Sequence, residues 1–155
     1  MPITEIPFSN GSNINLENFK KESGNDDSLR FSTNSQITKT SGLVDIQVNG
    51  FAGVDFNTPG ITSKNLQKSL EAMLASGVTK FLPTLITASE EQLKSCFRDL
   101  ENSRQSCKLA KTMIPGYHLE GPFISPYPGF SGCHPVEKIR DADQEMFLRL
   151  QEAAD

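Results

Sequence analysis

Two pairs of polar residues are spaced by two along short apolar runs: Gln47-x-Asn49 and His118-x-Glu120. In an extended strand that spacing puts both members on one face. A carboxylate and an imidazole converging with two amides have the chemistry to hold a divalent metal ion. The alternative is plain: a His or Glu at a strand end is often only solvated, and amides there can satisfy backbone groups. A third set, Cys133-His134-Pro135, closes a loop rich in Pro and Gly that starts at Phe123. His134 has the chemistry to bind an anionic or amide group, or to be an exposed loop residue. Cys133 has no His–Asp set beside it in sequence that would make it a nucleophile.

These residues need elements to position them. Leu43 to Asn49 alternates Val44, Ile46 and Val48 with Asp45, Gln47 and Asn49, which predicts a strand whose apolar face meets helices. Gln47 and Asn49 then point inward. Ser63 to Ser76 predicts a helix, capped by Thr62 or Ser63, striped by Leu66, Leu70, Met73 and Leu74, and ended at Gly77. Val78 to Leu85 reads as a strand that breaks or ends near Pro83. Ser89-x-x-Gln92 is a capping box for a helix striped by Leu93, Cys96, Phe97 and Leu100. A third strand is expected over Met113 to Glu120, and a last helix over Ala142 to Ala153 with Met146, Phe147 and Leu150 on one face. The alternation of strands and helices implies a parallel sheet with right-handed crossovers, whose sites lie at the carboxyl ends of the strands. Periodicity alone does not separate an open sheet from part of a barrel.

Residues 1–41 differ from the rest. They contain no Ala, Val, Cys or Tyr, and Lys20 to Ser28 holds no apolar residue. This segment reads as a polar leader, partly disordered, with short extended pieces such as Leu29 to Ile37 that pair with something else. The remaining range, 42–155, carries the α/β pattern. The whole chain has 155 residues, a net charge of −4 and 36% hydrophobic residues. No basic cluster supports a nucleic-acid partner, no apolar run approaches the ~18 residues of a membrane helix, and no secretory signal opens the chain. Three cysteines without a CxxC pair fit reduced thiols in the cytoplasm.

Gly42 to Gly50 (GLVDIQVNG), Gly53 to Phe56 (GVDF), Gly77 to Leu85 (GVTKFLPTL) and His118 to Phe123 (HLEGPF) occur in order. Together they resemble the N-acetylglucosamine-6-phosphate deacetylases of the amidohydrolase superfamily. The resemblance implies a metal-dependent TIM-like (β/α)₈ barrel, of which this chain holds roughly the first three β/α units, and a small β domain of which 1–41 is a remnant. It implies hydrolysis of the acetamide of N-acetylglucosamine 6-phosphate, giving glucosamine 6-phosphate and acetate. Glu120 matches the family's metal-binding glutamate, and Cys133 and His134 its substrate-contacting segment, in a loop about two residues longer than usual. Gln47-x-Asn49 stands where many superfamily members have His-x-His, implying one divalent ion, zinc or iron. Gln47, Asn49 and His118 then lie behind the metal or its water. The family's other ligand histidines and its general-base aspartate fall on later strands, so the resemblance implies a chain that is truncated and inactive alone, and a homodimer for the intact enzyme. Two other functions stay open: a related amidohydrolase acting on another acylated sugar or amide, and a non-catalytic α/β fragment that binds a full-length partner.

Overall fold

A computed structural model describes residues 41–155 in full and, before them, only the backbone of short strands. β1 (Glu5–Pro7) pairs antiparallel with β2 (Asn13–Asn15), and β3 (Ser28–Thr33) with β4 (Gln36–Ser41), from Ser28 opposite Ser41 to Thr33 opposite Gln36. The extended pieces around Leu29 and Ile37 therefore pair with each other. The disorder expected of the leader falls on residues outside those described.

From Leu43 the order is β5 (Leu43–Val48), a small hairpin of β6 (Gly50–Phe51) and β7 (Val54–Asp55), α1 (Ser63–Ala75), β8 (Val78–Ile86), α2 (Glu90–Gln105), α3 (Lys108–Met113), β9 (His118–Glu120), a 3₁₀ turn at Val136–Lys138, and α4 (Gln144–Ala154). β5, β8 and β9 form one parallel sheet in that order. Parallel neighbours cannot be joined by a tight turn, so helices carry the chain back between them. Thr62 caps α1 by accepting from the Asn65 N–H, and Leu66, Leu70 and Met73 are buried as the stripe requires. Gly77 takes φ +93° at the helix exit, a backbone state that favours glycine. Leu93, Cys96, Phe97 and Leu100 of α2 are likewise buried. Phe81 and Leu85 of β8 meet these helices, and Phe56 stacks on Phe81 with ring centroids 6.0 Å apart. No helix among the described residues is long and apolar enough to cross a membrane.

Four local expectations are corrected. β8 does not break at Pro83 but runs on to Ile86. Pro83 offers no N–H, the ladder to β5 shifts between Asp45 and Val48, and the Val48 N–H donates instead to the Thr84 hydroxyl at 2.9 Å. The third strand is only His118–Glu120, because Lys108–Met113 is helical and Ile114 is extended ahead of Pro115. α4 begins at Gln144, capped by Asp143, and buries Met146, Leu150 and Ala153, while Phe147 faces outward at 48% exposure. Finally, only Val48 of the β5 apolar face is buried. Val44 and Ile46 are 63% and 69% exposed, since no helix among the described residues covers that end of the edge strand.

Candidate active site

β9 pairs with β8 so that His118 lies beside Thr84 and Glu120 beside Ile86. Leu119 packs toward the core, so alternation turns His118 and Glu120 to the other face. At the carboxyl end of the sheet the Asn49 amide donates to Glu120 Oε2 at 3.4 Å, and His134 Nε2 stands 3.6 Å from Glu120 Oε1. The Glu120 carboxylate is thus held between the end of β5 and the loop after β9. His118 Nδ1 is 3.3 Å from Thr84 Oγ1. Gln47 is exposed, its backbone N–H taken by Asp45 Oδ1, and no hydrogen bond among the described residues joins it to this cluster. Cys133 is exposed, and no contact among the described residues ties its thiol to Glu120.

Three residues that hold this arrangement were not singled out from the sequence. Asn57 stitches the strand ends together: its amide nitrogen donates to the Asn49 and Thr84 carbonyls at 3.2 and 3.1 Å, and its Oδ1 accepts from the Ile86 N–H at 2.7 Å. It is fixed by an Asx turn in which Asp55 accepts from the Asn57 N–H and the Thr58 hydroxyl. That turn has a signature, Asp55-x-Asn57-Thr58, but the long-range bonds have none. Ser89 caps α2 as expected by accepting from the Gln92 N–H at 3.3 Å, while the Gln92 side chain donates to the Asn57 carbonyl at 3.2 Å instead of turning back to Ser89. Thr84 and Thr87, at the end of β8 and just beyond it, are both buried and each meets a histidine, Thr87 Oγ1 lying 2.9 Å from His134 Nδ1. Gly121, at φ +86°, passes so close to Thr87 that a Cβ would collide with its hydroxyl.

At the other end of β9, Tyr117 anchors the strand. Its hydroxyl donates to buried Glu101 of α2 at 2.7 Å, and Arg104 forks onto the same carboxylate at 2.7 and 2.9 Å. Burial works to raise the Glu101 pKa, but the hydrogen bonds from Arg104, Tyr117 and Gln105 overcome it and hold the acid at about 2. The Tyr117 hydroxyl, desolvated and bonded to that anion, is pushed well above its ordinary range.

A catalytic zinc-type site normally takes three protein ligands. Glu120 and His134 supply one carboxylate and one imidazole, and no group of three or more His, Cys, Asp or Glu among the described residues could hold a metal ion. These residues by themselves therefore do not fit a complete metal centre.

No family model matches the chain. The N-acetylglucosamine-6-phosphate deacetylase of Caenorhabditis elegans is 40% identical over 102 residues, which is 63% of this chain and 23% of that protein. The Haemophilus influenzae enzyme of the same name is 38% identical over 107 residues, 69% of this chain and 26% of that one. An N-acetylgalactosamine-6-phosphate deacetylase of Shewanella is 33% identical over 116 residues. Among solved structures, the Pasteurella multocida N-acetylglucosamine-6-phosphate deacetylase superposes with a TM-score of 0.60 at 35% identity, over 74% of this chain and 28% of that one. A Mycobacterium smegmatis variant solved with N-acetyl-D-glucosamine-6-phosphate gives 0.61 at 28% identity. The chain is thus a homologue, in sequence and in backbone, of the N-acetylglucosamine-6-phosphate deacetylases, hydrolases of an amide bond of whose length it spans about a quarter.

Proposed function

We propose that the protein serves the hydrolysis of the acetamide of N-acetylglucosamine 6-phosphate, releasing acetate and glucosamine 6-phosphate. The observation that carries this is the Glu120 carboxylate, hydrogen-bonded by Asn49 and faced by His134 at the carboxyl ends of parallel strands, where α/β folds gather their ligands. Glu120 is the residue we assign as a ligand to one divalent ion, zinc or iron. Asn49 orients it, with Gln47 and His118 behind. Cys133 and His134 lie toward the sugar. The remaining ligands and the general-base aspartate come from outside the described residues, so this donor set alone turns over no substrate. We also read the sheet as an arc of a (β/α)₈ barrel, because the exposed Leu43, Val44 and Ile46 of β5 are an edge awaiting cover.

The test uses the full product of the coding sequence. Acetate release and bound metal, by elemental analysis, are measured for wild type and Glu120→Gln. Both are expected to fall together in the variant. Unchanged metal content would remove the ligand role, and no acetate release by the wild type would reject the reaction. The Shewanella relative favours a second substrate, N-acetylgalactosamine 6-phosphate, which carries the same amide. Running both sugars in one assay separates the two. The same exposed edge supports a third function, binding to a full-length partner without catalysis. Co-purification with one, in the absence of turnover, would favour it.

A further inference from the structure

We infer that Thr84 and Thr87 lock the two histidines of the site in opposite tautomers, so that His134 presents an N–H to Glu120 while His118 keeps a bare nitrogen. A hydroxyl has one hydrogen to give and two lone pairs to offer. At Thr84 a nearby carbonyl claims the hydrogen. The hydroxyl oxygen accepts from the Val48 N–H at 2.9 Å and lies 3.1 Å from the Leu82 carbonyl, which can only accept. Thr84 therefore donates to Leu82, and its remaining lone pair faces His118 Nδ1 at 3.3 Å. That nitrogen must carry the proton, which leaves Nε2 of His118 as an acceptor.

Thr87 has the reverse problem. It is 2% exposed, and its hydroxyl meets His134 Nδ1 at 2.9 Å. If Nδ1–H donated to Thr87, the neutral ring would point the lone pair of Nε2 at the Glu120 carboxylate, 3.6 Å away, setting acceptor against acceptor, and would leave a buried hydroxyl proton without this partner. If Thr87 donates to Nδ1, both conflicts vanish: the proton sits on Nε2 and faces Glu120. The carboxylate then accepts from the Asn49 amide at 3.4 Å and has the His134 N–H facing it at 3.6 Å. Both threonines act through the histidines and are positioning residues.

The consequence for catalysis rests on the deacetylase reading above, whereas the tautomers do not, and the experiment needs neither substrate nor metal. The chain has two histidines, so a protein labelled with ¹⁵N at the imidazole nitrogens shows two ring systems, assigned with His118→Gln and His134→Gln. Long-range ¹H–¹⁵N correlation in alkaline buffer, where a free imidazole is neutral, reads which nitrogen is protonated. We expect the Nδ1–H pattern for His118 and the Nε2–H pattern for His134 in wild type, Thr84→Ser and Thr87→Ser. Thr87→Val should shift His134 alone toward a mixture, and Thr84→Val His118 alone. The same tautomer in both rings, a doubly protonated His134, or Val variants that fold and leave the pattern unchanged would overturn the inference. If the Val variants do not fold, the wild-type spectrum still decides it. A failed acetate assay would leave these spectra as they are, and a failed spectrum would leave the assay untouched.

Discussion

At the scale of single residues, the side chain that does most for the site is Asn57. One amide satisfies two carbonyls and one N–H from two strands, and no ladder bond is available to replace it where β5 and β8 diverge. Asn57→Ala should therefore cost about 1–3 kcal/mol, the usual penalty for stranding partly buried polar groups, read as a lowered denaturant midpoint with an unchanged m-value. The sequence exposed Glu120, His118 and Asn49 because spacing by two is itself a geometric statement. It did not expose Asn57, Thr84 or Thr87, whose partners lie 29, 34 and 47 positions away for Ile86, His118 and His134. Short polar side chains carry no periodicity that names a distant partner.

At the scale of elements, α1 and α2 start where their caps and stripes place them, since local chemistry decides where a helix starts, whereas β8 starts as expected at Val78 but runs on through Pro83. β9 is shorter than its apolar run suggested. Met113 and Ile114 are buried by a helix and its exit, and burial alone does not say which element does the burying. What holds the short strand in place is the Tyr117–Glu101–Arg104 cluster, and its strength depends on pH. The Glu101 acid is held at about 2, below its ordinary value of 4.5, so the folded state prefers the anion. That stability is full above the unfolded value and is lost as pH falls from about 4.5 toward 2. Glu101→Gln should cost about 1.5–3 kcal/mol at neutral pH, as for hydrogen bonds to a charged group, and should flatten the acid limb of a stability–pH curve. An unflattened limb would mean that other carboxylates carry the acid sensitivity.

At the scale of the whole molecule, the sheet buries one face against α1 and α2 and leaves β5 as an edge with Leu43, Val44 and Ile46 in the open. Such an edge invites association with another strand. Ile46→Lys should change unfolding stability by no more than about 0.5 kcal/mol, because the side chain is already in solvent, yet should reduce self-association in light scattering. Equal scattering would show that β5 does not mediate contact. The alternating pattern made the parallel sheet legible, while the exposure of its first strand was not, because the residues that cover a strand need not be near it in sequence. The three cysteines add a practical consequence. Cys96 and Cys107 are buried, and burial pushes the Cys96 thiol up to about 11, whereas Cys133 is exposed beside His134. A maleimide dye should label the folded chain once and the denatured chain three times by mass spectrometry. The molecule thus comes with a single built-in reporter on the loop that reaches Glu120, through which binding at the strand ends can be followed by fluorescence without altering another residue.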